Sequence, residues 1–279
     1  MIEVIFLIVL ALIWTIFATI VDCKHRIVPN WLNFSLIIFA LGFRFFYSLF
    51  QGDFDFFVQG LLGLGIFFVF GNALYYGRMF AGGDAKFMIA LGAVLPFSEN
   101  LIVNANIFVL FFIPFLFSGA FYGLVWSAVL TARNYHQFKK EFFKQFNKNK
   151  KSVYFALFFG TLILFFGFFE TSFFYLSILI FAMPYFYIYA KSVDESCLIK
   201  NVKTKDLTEG DWLYKDLKIG KKIIKASWGG LTKEEIKFIR KKFKEVKIRH
   251  GIPFTPVFLI SFLALISFYF KGINLASLI

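Results

Sequence analysis

The stretch Val4-Ile5-Phe6-Leu7-Ile8-Val9-Leu10-Ala11-Leu12-Ile13-Trp14-Thr15-Ile16-Phe17-Ala18-Thr19-Ile20-Val21-Asp22 decides the fold. No charged side chain interrupts it before Asp22. At about 1.5 Å of rise per residue, such a run is long enough to cross roughly 30 Å of hydrocarbon as a helix. It lacks a basic leading region and ends in Asp22-Cys23-Lys24 instead of a small-residue cleavage site, so it reads as a mature helix and not a signal peptide. Working outward, candidate spans lie near 3–21, 31–50, 56–77, 101–130, 172–190 and 253–270, with weaker ones near 85–96 and 153–169. A mean hydropathy of +0.72, 59% hydrophobic residues and 45 phenylalanines place the whole chain in the same class. The expectation is an all-α polytopic membrane protein, a bundle of six to eight transmembrane helices with a small α+β cytoplasmic domain.

The net charge of +13 is concentrated in two places. Residues 133–151 hold seven Lys/Arg against the single acid Glu141, and residues 191–252 hold 17 Lys/Arg against nine Asp/Glu. The short connections at 51–55, 97–100 and 169–172 carry only acids among their charges: Asp53, Asp55, Glu99 and Glu170. Basic loops stay cytoplasmic, so this alternation predicts a multi-pass protein of the cell membrane with both termini outside. Asp22, Asp84 and both basic segments then lie on the cytoplasmic side. Arg44 and Lys271 depart from the pattern and are expected to snorkel to an interface. The charge reads as topology and anionic-lipid attraction, not as a nucleic-acid footprint.

These boundaries divide the chain into a transmembrane core over 1–130, a basic cytoplasmic loop over 131–152, an additional transmembrane hairpin over 153–190, a soluble basic cytoplasmic domain over 191–252 and a C-terminal transmembrane helix over 253–279. Within the soluble piece, the first half alternates short apolar pairs with Asp, Glu and Gly and predicts a small strand-rich element. The second half opens on Thr232 with Glu235 three residues later, a capping-box pattern. A basic amphipathic helix is expected from about Lys233 to Ile248, its apolar side on anionic lipid or on the membrane domain. Cys23 and Cys197 suggest no disulfide framework, and His25, His136 and His250 are scattered without ligand spacing. Neither a metal nor another cofactor is implied.

Ionisable residues at membrane depth are costly, so each carries a functional hypothesis. Asp22 closes the first apolar run just before a basic turn. Asp84 opens a later one after Gly82 and Gly83, which can let a second chain approach the carboxylate closely. Two carboxyls brought together at apolar helix ends suit aspartyl proteolysis: a close pair shares one proton, one member activates water and the other hydrogen-bonds the peptide carbonyl. An ion-coupled transporter or channel, or a noncatalytic membrane scaffold, are the competing classes.

Asp22 followed by Arg26, Pro29 and Asn30 resembles the first aspartate region of type IV prepilin peptidases and archaeal preflagellin peptidases. Gly82-Gly83-Asp84-Ala85-Lys86 is similar to their Gly-x-Gly-Asp motif, with Ala81 in place of the first glycine, and Arg249-His250-Gly251-Ile252-Pro253-Phe254 looks like the archaeal branch. The resemblance implies a membrane-embedded aspartic endopeptidase with Asp22 and Asp84 catalytic. It further implies a precursor partner bearing a short basic leader and a hydrophobic helix, cut on the cytoplasmic side. Lys86 is expected either to act on the pair's charge or to snorkel, Arg26 and Asn30 to hold the turn, and Pro29 to fix the entry to the next helix. The stretch 131–190 has no clear counterpart in that family.

Overall fold

The protein is a polytopic helical membrane protein. A computed structural model describes residues 2–219 and 222–273, so the last part of the expected C-terminal helix segment, 274–279, lies outside the described residues. The chain divides into two compact units, Met1–Leu124 with Gly251–Ile279, and Val125–His250.

The first unit contains α1 (Ile2–His25), α2 (Asn30–Gln51), α3 (Asp55–Tyr76), α4 (Gly82–Gly92), most of α5 (Leu101–Arg133) and α10 (Thr255–Phe270). Of these, α1, α2, α3 and α5 are long and apolar enough to cross a membrane. The α2–α3 turn passes through Gly52, whose φ of 74° lies in the left-handed region that glycine enters without penalty. The core is one cluster drawn from all six helices, and many large apolar side chains outside it face outward, as they do where lipid is the solvent.

The weak span near 85–96 is corrected by α4. Eleven residues rise only about 16 Å, too little for a crossing. The segment is apolar because it is enclosed: Ala85, Phe87, Met88, Ala90, Leu91, Ala93, Val94 and Leu95 are all buried. It runs antiparallel along α3 at backbone distance. A Cβ on Gly92 would sit 2.5 Å from Phe67 Cβ, and one on Gly71 would sit 2.9 Å from the Ala85 carbonyl oxygen. Glycine is the only residue that permits this approach.

Ending a helix inside the bundle leaves carbonyls without donors. Arg44 supplies them. Its guanidinium donates to the carbonyl oxygens of Ala93 (3.0 Å), Val94 (3.1 Å) and Pro96 beyond α4, and to that of Phe56 (2.8 Å) at the start of α3. The side chain is 0% exposed, so the expected snorkelling is corrected. The guanidinium plane lies over the Phe56 ring at 4.2 Å, and Gly60 leaves room for its stem. The positive charge meets the negative end of the α4 dipole, which is why it needs no carboxylate.

The second unit holds α6 (Tyr135–Lys148), α7 (Lys150–Phe166), α8 (Thr171–Cys197), α9 (Lys233–Lys242) and strands β1 (Ile199–Lys203), β2 (Trp212–Leu213), β3 (Leu217–Ile219), β4 (Lys222–Ile224) and β5 (Glu245–Arg249). The expected basic loop over 131–152 is mostly helix: α6 packs along α8 through Phe138 against Tyr189 and Phe146 against Tyr185. Its polar and charged residues outnumber its apolar ones, which reads as a loop, yet Phe138, Phe142 and Phe146 recur at helical spacing. Helices α7 and α8 form a hairpin, and α8 is the fifth helix of spanning length and apolarity.

Strands β1, β5 and β2 pair antiparallel in that order, with Val202 opposite Val246, and β3 pairs with β4. The capping box at Thr232 and Glu235 forms as expected. The helix beyond it stops at Lys242, not Ile248. Val246 and Ile248 alternate inward from β5 and are buried on one face of the sheet. The α9 residues Ile236 and Ile239 turn into the same small core, with Leu207, Leu213, Ile224 and Leu231. Ile236 and Ile239 are therefore covered by their own domain, while Phe238 on the same helix stays exposed.

Candidate active site

The site is assembled where α1 ends, α4 begins and α10 begins. Asp22 lies in the last turn of α1 and is buried. The chain then reverses through Arg26, whose φ of 60° puts a non-glycine residue in the left-handed region. The turn is held by the Arg26 amide donating to the Asp22 carbonyl (2.8 Å) and by the Arg26 guanidinium donating to the Gly251 carbonyl (3.1 Å). Pro29 is the N-cap of α2 in extended conformation, and its carbonyl accepts from Leu32 N–H at 3.1 Å. It fixes the entry angle of α2 by its locked φ.

The second turn, between α3 and α4, is constructed similarly. Arg78 also has a φ of 60°. Strain of this kind persists only where surrounding packing over-determines the backbone. Here Phe80 does so: it is buried against Phe254 (centroids 5.4 Å apart) and Phe115 (6.0 Å), while Phe258 packs on Phe115 and on Phe87. Asp84 follows in the first turn of α4 and is half-buried, its charge favoured by the amide end of the helix.

Gly83 is where the two turns meet. A Cβ there would lie 3.2 Å from Val28 Cβ and 3.4 Å from the Val28 nitrogen, so the glycine admits the Asp22-bearing turn against α4. Gly82 is less constrained, with only Tyr75 at 3.7 Å. Three residues further on, Lys86 Nζ donates to Asn30 Oδ1 at 2.8 Å, a second tie between the turns. Lys86 is exposed and engaged with Asn30, and Asn30 thus bridges to α4 instead of bonding within its own turn.

One participant was absent from the sequence reading. Thr255, the first residue of α10, donates both its backbone N–H (3.1 Å) and its hydroxyl (3.0 Å) to Asp22 Oδ2. Thr255 and Pro256 open α10, and Asp22 of α1 caps that helix start. Two carboxyls on separate helices suit general acid–base chemistry on water and a carbonyl. Among the described residues no group of three or more His, Cys, Asp or Glu converges on a metal-sized site.

Residues 9–131, which include both aspartates, match the type IV leader peptidase family. A preflagellin peptidase from Methanococcus maripaludis (strain C6) is 25% identical over 126 residues, covering 43% of this chain and 54% of that protein. The match thus spans about half the length of that relative. No solved structure matches. The likeness to prepilin and preflagellin peptidases read from the two aspartate motifs therefore stands.

Proposed function

We propose that this chain, whose residues 9–131 carry the type IV leader peptidase match, is a membrane-embedded aspartic endopeptidase. It removes the short basic leader from preflagellin- or prepilin-like precursors at the cytoplasmic face, with Asp22 and Asp84 as the catalytic pair. The observation that carries the reading is the close approach of Gly83 and Val28, which packs the turn that follows Asp22 against the first turn of the helix that bears Asp84. A pair so placed supplies a base for water and a proton for the carbonyl oxygen without any further group.

The leader's positive charge agrees with a cytoplasmic cleavage point, since basic segments are retained on that side. Gly82, Gly83, Pro29 and Arg26 act as supports of the two turns, and the Lys86–Asn30 bond holds them in register. The soluble domain's basic surface is assigned to the same side, near anionic lipid.

The test is cleavage of a precursor with a basic leader in membranes containing wild type, Asp22→Asn or Asp84→Asn, scored by substrate size with insertion checked in parallel. Loss of cleavage in each inserted variant supports the pair. Continued cleavage by either variant refutes it.

A further inference from the structure

Two hydrogen bonds converge on one oxygen of Asp22: Oδ2 accepts from both the N–H and the hydroxyl of Thr255. Each of the two donors stabilises the ionised carboxylate over the acid. Asp22 faces the amide end of α10 and Asp84 that of α4, so the helix dipoles act on both carboxyls and the Thr255 donors make the difference. A protonated Asp22 would have to place its proton away from both donors. Asp84 lies in the first turn of α4, and no side-chain donor comparable to Thr255 is seen at it among the described residues.

Resting on the aspartic-peptidase reading, we infer that Thr255 is a positioning residue that holds Asp22 as the general base through Oδ2, leaving Oδ1 to take the proton and Asp84 to act as the acid. The proton balance closes. Water loses a proton to Asp22 Oδ1 as its oxygen bonds the peptide carbonyl carbon, and Asp84 gives its proton to the carbonyl oxygen, forming a geminal diol. Asp22 then passes its proton to the departing nitrogen as the C–N bond breaks, and one diol hydroxyl returns a proton to Asp84. Both carboxyls finish as they began. Thr255 never exchanges a proton and does not touch substrate.

The placement of Thr255 follows from its neighbours. Phe254 is wedged between Phe80 and Phe115, and Phe258 one turn later packs on Phe87 and Phe115. The first turn of α10 is thereby fixed against the segments that carry Asp84. Charged and titratable groups facing Asp22 from the surrounding elements are Asp84 on α4, Arg26 and Cys23 beside it in sequence, and Tyr122 on α5. None of them replaces the two donors.

Thr255→Val keeps the shape and the backbone N–H but removes the hydroxyl, and Thr255→Ser keeps the hydroxyl. With equal inserted protein, the valine variant is expected to lose kcat by roughly tenfold, the scale of one charge-assisted hydrogen bond, with KM unchanged. The acidic arm of its cleavage profile moves to higher pH, and serine restores both. Wild-type kcat and pH profile in Thr255→Val would overturn the inference while leaving the catalytic pair intact, and so would a serine variant as impaired as the valine one. An activity-independent readout separates this from failure of the peptidase reading. In carboxyl-stretch infrared spectra at neutral pH, a protonated-carboxyl band is expected in the wild type and in Thr255→Ser and is expected to disappear in Asp84→Asn, and a band that survives Asp84→Asn would overturn the assignment.

Discussion

Replacing Arg44 by leucine should be among the most destabilising single changes in the membrane domain. The substitution removes the donors to the carbonyls of Phe56, Ala93, Val94 and Pro96 at once, in a place with no solvent exposure. Each buried acceptor left without a donor costs about 1–3 kcal/mol. Against this stands relief from keeping a desolvated cation, several kcal/mol in its own right, but that cost is already offset by four carbonyls and the α4 dipole. The carbonyl loss wins, and the expected net is about 3–5 kcal/mol, the scale seen when one partner of a buried charged contact is removed. Lysine keeps the charge but not the planar fork, so it reaches fewer carbonyls and recovers less than half. The assay is reversible unfolding in mixed micelles, with hydrogen exchange of α4 amides as the local readout. If Arg44→Leu unfolds within about 1 kcal/mol of wild type, or α4 amides stay protected, the anchoring argument fails.

Smaller perturbations test other contacts. Gly83→Ala places a methyl 3.2 Å from Val28 Cβ, and the resulting overpacking should cost about 1–3 kcal/mol and lower cleavage more than Gly82→Ala, measured on equal inserted protein. Thr232→Ala breaks the capping box and should lower the stability of the 199–249 region by about 1 kcal/mol in denaturant titration of the full chain, with cleavage unaffected. Tyr214 donates to Glu195 at 2.9 Å, and that bond pushes its phenol above the ordinary value of 10.0. The unfolded chain therefore releases this proton first, so stability should fall as pH rises above about 10 and the fall should be shallower in Tyr214→Phe, read by phenolate absorbance and melting together.

The long apolar runs were legible because the membrane imposes length and composition at once, leaving little for packing to override. The Asp22 and Gly82-Gly83-Asp84 segments were legible for a related reason: a carboxylate at the end of an apolar run and paired glycines before another are both unusual there. Periodicity failed at α9 and β5. Phe243, Val246 and Ile248 fit a helical stripe as a continuation of Ile236 and Ile239, but Val246 and Ile248 fit a strand equally, and pairing with β1 decides for the strand. Arg44 and Thr255 were not legible at all in their roles. Each acts on a group 12 or more residues distant, and nothing local to either marks the partner.

Those two residues explain why the site is made from a helix that does not cross the membrane. A full span would put its first turn in the interfacial region and its last turn some 30 Å away at the other face, where water satisfies its carbonyls. Helix α4 instead ends within the bundle, so the position of Asp84 along α3 is set from below by Arg44 and from the side by Gly63, Gly71 and Gly92. Asp22 is held by another helix, through Thr255. Each carboxylate thus has its own rigid support, and the two supports meet at Gly83 against Val28 and at Lys86 against Asn30. The aromatic pairs Phe80–Phe254 and Phe87–Phe258 join the same two supports through α10, so the carboxylates are held in place by packing as well as by the polar tie.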